Sequence, residues 1–252
     1  MRRVLLVIEY EGTNYVGWQV QPNGLSVQAV VERELNKLTG EEITVHASGR
    51  TDSGVHAYGQ VAHFDTLSRI PSDKFSYALN AGLPRDIRIR LSAKAAPSFH
   101  SRFDVVKKHY LYIVHNAPHS SAFTNRTALH VHGPLDIRAM NAAAALFIGE
   151  HDFSAFHCAR TSVSGCVRTI YESRWIKRGD YLIYKVVGTG FLYNMVRIMV
   201  GSMLEIGKGQ SDLSAVSRPL TSGRRTDAGP TAPAHGLTLY RVQYVDFDTK
   251  NI

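Results

Sequence analysis

A chain of 252 residues, of which 44% are hydrophobic, can bury a sizeable core without disulfide or metal staples. Its 29 Lys and Arg against 21 Asp and Glu give a net charge of +8, which favours a polyanionic partner, although many basic proteins bind none. The spacing of Cys158 and Cys166 excludes a C-x-x-C redox pair and a paired zinc site, and no apolar run is long enough to span a membrane. We therefore expect reduced cysteines and a soluble, cytoplasmic protein.

The first half of the chain has the pattern of strands around one amphipathic helix. The apolar run VLLVI at residues 4–8 predicts a strand buried on both faces. Ser26 can cap a helix that ends at Gly40 and has apolar residues at three- and four-residue steps. Strand patterns follow at 43–47, 59–64 and 86–95.

A second series of strand and helix patterns begins near residue 104. Strand patterns occur at 109–116, 181–187 and 236–247, helix patterns at 135–150 and 192–207, and the Pro- and Gly-rich stretch 217–236 predicts an irregular loop. Strands and helices alternate in both halves, which predicts two similar units with α/β-type organisation, residues 1–104 and 105–252. The pattern leaves open whether helices cover one face of the sheets or both.

One loop contains a candidate catalytic residue. In HASGRTDSGVHAYGQVAHF, residues 46–64, Asp52 follows Arg50 by two positions and precedes a Ser53-Gly54 turn. Arg50 and Asp52 can form a bidentate pair because i and i+2 side chains share one side of an extended segment. The guanidinium would keep the pKa of Asp52 low, which suits a nucleophile or a cation stabiliser. The same pattern also fits an aspartate that caps a turn through its own backbone.

Other chemistries fit the sequence less well. Asp52-Ser53-Gly54 and Asp227-Ala228-Gly229 resemble the paired signatures of aspartic proteases, but Arg50 would prevent the carboxylates from sharing a proton. The twelve histidines lack partners at metal-ligand spacing, a phosphate-binding loop is absent, and GTG at 188–190 is only part of a dinucleotide fingerprint. We expect neither a metal nor a small-molecule cofactor.

A span that mixes basic and aromatic residues suits RNA phosphates and stacked bases. A solvated basic face over an aromatic core would give the same pattern. The span contains Arg85, Arg88, Arg90, Phe99, His100, Arg102, Phe103, Lys107, Lys108, His109, Tyr110 and Tyr112.

Characteristic segments follow one another along nearly the whole chain. They are YEGTNYVGWQVQPNGLSVQAVVERELNKL, GRTDSGVHAYGQVAHF, ALNAGLPRDI, FHSRFDVVKKHYLYIV, GEHDFSAF, VRTI, GTGFLYNMVRIMVG and GPTAPAHGLTLYRVQY. In this order they resemble the motifs of the TruA family of tRNA pseudouridine synthases. GRTDSGVHAYGQVAHF is similar to the signature of that family, in which the aspartate is catalytic. Departures are local: Ser53 stands where alanine is commoner, RRTDAG before PTAP is unusual, and residues 158–168 align poorly.

The resemblance implies roles for individual residues. Asp52 would be the catalytic nucleophile, Tyr110 the active-site tyrosine that also binds the substrate base, Arg197 the arginine that faces Asp52, and Arg50 the residue linked to base flipping. A tRNA-contacting stretch would comprise Phe99, His100, Ser101, Arg102 and Phe103. Asp227 has no catalytic counterpart in the family.

The resemblance also implies a reaction and a fold. Uridines 38, 39 and 40 in the anticodon stem and loop of tRNA would be isomerised to pseudouridine by a homodimer without metal or cofactor. The fold would be α+β, with two similar domains whose mainly antiparallel sheets join into one platform, related by a pseudo-twofold around a basic cleft. Residues 1–104 would carry the aspartate loop, and residues 105–252 would contribute Tyr110 and Arg197.

One carboxylate can suffice for this reaction, because the base leaves and rejoins without consuming water. Whether Asp52 attacks the ribose, attacks the base, or acts through a glycal-like intermediate stays open. A catalytically silent tRNA-binding protein or RNA chaperone on the same fold is the alternative.

Overall fold

The computed structural model describes residues 1–158 and 165–251. Part of the poorly aligned stretch 158–168, residues 159–164, therefore lies outside the described residues. The chain divides into two compact units, one formed by Met1–Lys108 with the C-terminal stretch from Thr238, the other by His109–Leu237.

Strands and helices are numbered in chain order. The strands are β1 (Arg2–Tyr10), β2 (His46–Ala47), β3 (His56–Thr66), β4 (Ile87–Ala95), β5 (Lys107–Asn116), β6 (Leu129–Val131), β7 (Gly149–Asp152), β8 (Val167–Arg178), β9 (Tyr181–Gly188) and β10 (Leu237–Gln243). The α-helices are α1 (Val27–Thr39), α2 (Phe75–Gly82), α3 (Ile137–Ala145), α4 (Met195–Gly207) and α5 (Ser214–Ser222).

The sheet of the first unit is built around β1. This strand pairs antiparallel with β3 on one side and with β4 on the other. Its residues Val4, Leu6, Val7 and Ile8 are fully buried, which confirms the predicted strand with two covered faces. The far side of β3 pairs antiparallel with β2 and parallel with β10.

The C-terminal strand lies in the first unit, whereas the sequence suggested that residues 105–252 stay together. The reason is long-range pairing: Thr238 and Leu239 of β10 lie opposite His56 and Ala57 of β3. The Tyr244 hydroxyl then donates a hydrogen bond to the carbonyl of Ser101 at 2.6 Å. These contacts tie the chain end to residues that are far away in sequence.

Two helices cover part of the first unit. As predicted, α1 begins at Ser26, whose side chain accepts a hydrogen bond from the N–H of Ala29, and ends at Gly40. The sequence analysis missed α2, because eight residues give too little periodicity to recognise. Phe75 at its start packs edge-to-face on Phe64 of β3, with ring centroids 5.2 Å apart.

In the second unit the sheet order is β5, β9, β8, β7, with β6 alongside β5. Pairing is antiparallel between β7 and β8 and between β8 and β9, and parallel between β5 and β6. Together with the first unit, this confirms an α+β fold with mainly antiparallel sheets. Helix α3 begins at Asp136, whose carboxylate accepts the N–H groups of Arg138 and Ala139.

The prediction of an irregular loop over 217–236 is wrong at its start. Helix α5 extends through Ser222 and contains Pro219, a residue that normally argues against a helix interior. Val216 and Pro219 are both buried, so packing stabilises the helix despite the proline. Gly223 ends it in the left-handed conformation.

Candidate active site

Asp52 lies in the connection between β2 and β3, in the first unit, and its side chain is half-buried. Main-chain hydrogen bonds hold this connection on both sides of Asp52. The N–H of Trp18 donates to the carbonyl of Thr51 at 3.1 Å, and the N–H of Gly54 donates to the carbonyl of Tyr15 at 3.2 Å. The backbone at Asp52 is therefore positioned by the segment that precedes α1.

A tight turn closes immediately after Asp52. The N–H of Val55 donates to the carbonyl of Asp52 at 3.1 Å, and Gly54 adopts a left-handed φ of 75°. The N–H of Gly12 donates to Nδ1 of buried His56 at 2.8 Å, which anchors the start of β3. Such a turn presents a side chain in a fixed direction at the end of a sheet.

A buried network of polar side chains holds the loop that precedes Asp52. Gln60 is fully buried; its amide nitrogen donates to the carbonyl of Gly49 at 2.8 Å, and its oxygen accepts from Oγ of Ser48 at 2.6 Å. The hydroxyls of Tyr10 and Thr51 lie 2.8 Å apart. Because these bonds are shielded from water, they fix the backbone on both sides of position 50.

Arg50 itself is exposed. Its pairing with Asp52 stays a prediction. Lys108 approaches the same loop: its Nζ donates to the carbonyl of Ser48 at 2.7 Å.

Tyr110 and Arg197 belong to the second unit. Tyr110 on β5 is only 8% exposed, and its ring meets the ring of Phe191 edge-on with centroids 5.1 Å apart. Arg197 lies in the first turns of α4. Its Nε donates to the carbonyl of Ala232 at 2.7 Å, and one terminal nitrogen donates to Oδ1 of Asn194 at 2.8 Å.

Asn194 is a residue that the sequence analysis missed. It stands at the N-cap position of α4 with a φ of 62°, a conformation that costs energy for residues other than glycine and that Asn tolerates better than most. Its side chain orients the Arg197 guanidinium. An Asn three residues before the arginine of the NMVR motif is the signal that could have identified it.

The stretch 99–103 presents some side chains to solvent and buries others. Arg102 and Phe103 are exposed, with the guanidinium carbon 5.7 Å from the centroid of the Phe103 ring. Ser101 is fully buried, and its hydroxyl donates to the carbonyl of His46 at 2.5 Å. Arg3 donates to the carbonyl of Phe99 at 2.6 Å. Ser101 and Phe99 are thus anchors, and Arg102 and Phe103 are the accessible pair.

His100 of this stretch forms a cluster with two further histidines, His46 and His63. The His63 ring lies 5.2 Å from the His46 ring and 4.8 Å from the His100 ring. Burial lowers the pKa of His63 to about 4, and the positive charge of Arg3 and the neighbouring histidines act in the same direction. Burial also lowers the pKa of His100. His63, at the centre of the cluster, is therefore neutral at pH 7.

This arrangement predicts that folding stability falls with acidification. Because the folded pKa of His63 is about 4, below about 6.5 in the unfolded chain, protonation favours the unfolded state. The stability from neutral His63 is complete above pH 6.5 and is lost progressively as the pH falls towards 4. We expect the urea midpoint to fall less between pH 7 and pH 5 in His63→Asn than in the wild type.

His63→Asn suits this test because an amide oxygen can still accept the N–H of Ser101, which donates to His63 Nδ1 at 3.2 Å. His132→Asn, at an exposed histidine, is the control and should keep the wild-type pH dependence. Equal pH dependence in His63→Asn and the wild type would contradict the assignment.

Asp227 in the second unit has a local role. Its carboxylate accepts from the Ser222 hydroxyl at 2.6 Å and from Nε of Arg224 at 3.1 Å. The hydrogen bond from Ser222 is the main cause of its lowered pKa. These bonds support a structural interpretation of the second Asp-x-Gly sequence.

Within residues 1–158 and 165–251, no group of three or more His, Cys, Asp or Glu side chains could hold a metal ion. Cys158 and Cys166 do not form a disulfide bond. No helix in this described part of the chain is long and apolar enough to cross a membrane.

Comparison with known proteins gives strong matches. Residues 6–104 and 143–245 match the family model described as tRNA pseudouridine synthase. The chain is 48% identical over 244 residues to tRNA pseudouridine synthase A of Brevibacillus brevis, covering 97% of this chain and 100% of that protein. It is 46% identical over 245 residues to the protein of the same name from Ruminiclostridium cellulolyticum, with the same coverage.

Among solved structures, the archaeal box H/ACA sRNP Nop10-Cbf5 complex matches with a TM-score of 0.38 and 12% identity. The match covers 80% of this chain and 43% of that chain. A likeness of this size carries no weight for fold or function.

Proposed function

The chain belongs to the tRNA pseudouridine synthase family, and from that premise we propose that it isomerises uridines 38, 39 and 40 in the anticodon stem and loop of tRNA to pseudouridine. The observation that carries this proposal is the match to family members along almost the whole chain. The rigidly held loop around Asp52 supports it, because a single fixed carboxylate is what the reaction requires.

The reaction exchanges one bond for another within the same nucleotide. The bond between uracil N1 and ribose C1′ breaks, the base turns, and a bond forms between uracil C5 and C1′. The C5 proton is lost and N1 gains a proton, so substrate and product have the same atoms. Asp52 takes part in this exchange as a covalent nucleophile towards the ribose or the base, or as the carboxylate that assists a glycal-like route.

Tyr110 and Arg197 are proposed to act on the same uridine as Asp52. Tyr110 would stack on the uracil, and its ring is already held edge-on by Phe191. Arg197 would keep the carboxylate of Asp52 ionised, and its guanidinium is oriented by Asn194 and Ala232. Fixed partners reduce the reorganisation that would otherwise accompany the reaction.

The target base must leave its stack before it can react, which costs a few kcal/mol. Arg50 is exposed beside the Asp52 turn and is proposed to occupy the vacated position. Arg102 and Phe103 would contact the backbone and a base of the tRNA, with His100 and half-buried Phe99 beside them and with buried Ser101 as their support. We also propose that the protein acts as a cytoplasmic homodimer without metal or cofactor.

The decisive experiment uses a tRNA transcript tritiated at uracil C5. Incubation with the purified wild-type protein, without added metal or cofactor, should release tritium to water, because C5 exchanges its hydrogen for the glycosidic bond. Mapping of pseudouridine should place the product at positions 38–40. Tight tRNA binding without tritium release would support the silent RNA-binding alternative and overturn the enzymatic proposal.

Arg102→Ala should weaken tRNA binding and flatten its salt dependence. Each phosphate contact contributes about one unit to the slope of log affinity against log salt, so the slope should decrease by about one. Binding is measured by filter retention across a salt series. Arg69→Ala, another exposed arginine of the same unit, should keep the wild-type slope. An unchanged slope for Arg102→Ala would remove this residue from the contact surface.

A further inference from the structure

Three side chains of the first unit form a row on the surface, which we call the Tyr58 stack. The guanidinium carbon of Arg90 lies 4.0 Å from the centroid of the Tyr58 ring. The Tyr58 ring in turn stacks on the Tyr240 ring, with centroids 5.7 Å apart and planes inclined by 17°. Tyr58 and Tyr240 are 42% and 41% exposed, so much of each ring remains accessible.

A shallow cavity of about 240 Å³ lies beside the Tyr58 stack. Its remaining lining residues are Arg241, Thr249 and Lys250. Arg241 is held in place by the carboxylate of Asp248, and Lys250 is exposed. This volume is below the roughly 300–1,000 Å³ of small-molecule sites, which favours a single base or phosphate over a cofactor.

The chemistry of this surface matches single-stranded nucleic acid. The half-exposed ring of Tyr240, at the end of the row, offers a face to a base of any identity, and arginine and lysine contact phosphates. Arg90 is only partly neutralised, because its Nε lies 3.6 Å from an oxygen of Glu9, a carboxylate that is itself 45% exposed. The chain as a whole carries a net charge of +8, which complements a polyanion.

The Tyr58 stack lies at the same end of the first-unit sheet as Asp52. Strand β3 begins at His56, directly after the Asp52 turn, and pairs there with the last residues of β1 and the first residues of β10. Six peptide bonds separate Asp52 from Tyr58, so these residues lie at most about 22 Å apart. A strand of RNA with its uridine at Asp52 can therefore bring a neighbouring nucleotide to the stack.

We propose that the Tyr58 stack is a second RNA-binding surface, which takes a nucleotide of the tRNA other than the target uridine. A base stacks on the exposed Tyr240 ring, and its phosphate lies near Lys250 and Arg241. This rests on the proposed function for the identity of the RNA. It adds a contact surface that is separate from residues 99–103.

The variant Tyr240→Ala tests the proposal. Its Kd for tRNA is measured separately from its KM and its single-turnover rate. Loss of one base stack should raise the Kd and the KM for tRNA by about tenfold, and leave the single-turnover rate at saturating protein unchanged. Tyr77→Ala is the matched control, because Tyr77 is another exposed tyrosine with a cation, Lys74, 5.4 Å from its ring. Tyr77→Ala should keep the wild-type Kd and KM.

A second measurement locates the contact directly. A tRNA with photoreactive 4-thiouridine in the anticodon arm should cross-link to peptides that contain Tyr58 or Tyr240. An unchanged Kd in Tyr240→Ala would overturn the proposal, and so would the absence of these cross-links. A change of sedimentation coefficient in Tyr240→Ala with an unchanged Kd would also overturn it and assign the surface to contact between two copies of the chain.

The two proposals fail in distinguishable ways. Wild-type protein that releases no tritium would refute the enzymatic function, whereas the Kd of Tyr240→Ala would still report on RNA contact. Conversely, normal tritium release with a wild-type Kd and KM in Tyr240→Ala would refute only the second surface. Matching thermal unfolding of Tyr240→Ala and the wild type establishes that the variant is folded.

Discussion

Asp52→Asn should lose pseudouridine formation and retain tRNA binding. Because the carboxylate is proposed to take part while the glycosidic bond is broken, we expect the single-turnover rate to fall by about 10⁴-fold or more. The amide has nearly the same shape, and the main-chain bonds of this loop and its support by Gln60 and Ser48 do not depend on the charge of residue 52, so the fold and the RNA surface should persist. Tritium release measures the rate, and filter retention measures the Kd.

Ser53→Ala is the neighbouring control. The Ser53 hydroxyl donates to the carbonyl of Tyr15 at 3.3 Å, a contact that helps to hold the loop without entering the reaction. Its loss should leave the rate within a few-fold of wild type. An Asp52→Asn protein that forms pseudouridine at a similar rate would refute the proposed role and make Asp52 a turn-capping residue.

The sequence predicted those elements whose pattern is local. The apolar run of β1 and the helical periodicity of α1, with Ser26 and Gly40 at its ends, specify these elements from a few consecutive residues. Helix α5 was missed because a proline argues against a helix, and only burial of Val216 and Pro219 shows why it forms. The position of β10 depends on pairing with β3, which local patterns do not encode.

The candidate site also has one part that local sequence motifs predict and another that depends on long-range contacts. A motif identified Asp52, yet the groups that position it come from distant parts of the chain. Tyr10 meets Thr51 across 41 residues, and Gln60 reaches back 11 residues to Gly49. The sequence also predicted Ser101 as an RNA contact, and the structure shows that its side chain is fully buried. Burial and pairing of polar side chains are tertiary properties, and a single sequence does not display them.

Gly17→Ala should reduce both the stability and the activity of the protein, because Gly17 packs closely against the Asp52 loop. The φ of Gly17 is 102°, and an added Cβ would lie 2.5 Å from the carbonyl oxygen of Thr51 and 3.1 Å from the carbonyl carbon of Asp52. Gly17→Ala must therefore displace the Asp52 loop or its own segment. We expect a loss of about 1–3 kcal/mol in the free energy of unfolding. We also expect about a 10²-fold loss of rate, since a 1 Å misplacement of a reacting group has that effect.

Gly40→Ala separates backbone strain from displacement of the loop. Gly40 also has a positive φ, 72°, but nothing lies within 4 Å of an added Cβ, and it is at the far end of α1. It should lose stability by a comparable strain and keep the wild-type rate of tritium release. Urea unfolding and single-turnover kinetics on both variants give the comparison. If Gly17→Ala lost stability without losing more activity than Gly40→Ala, close packing of Gly17 against Thr51 would not position Asp52 for reaction.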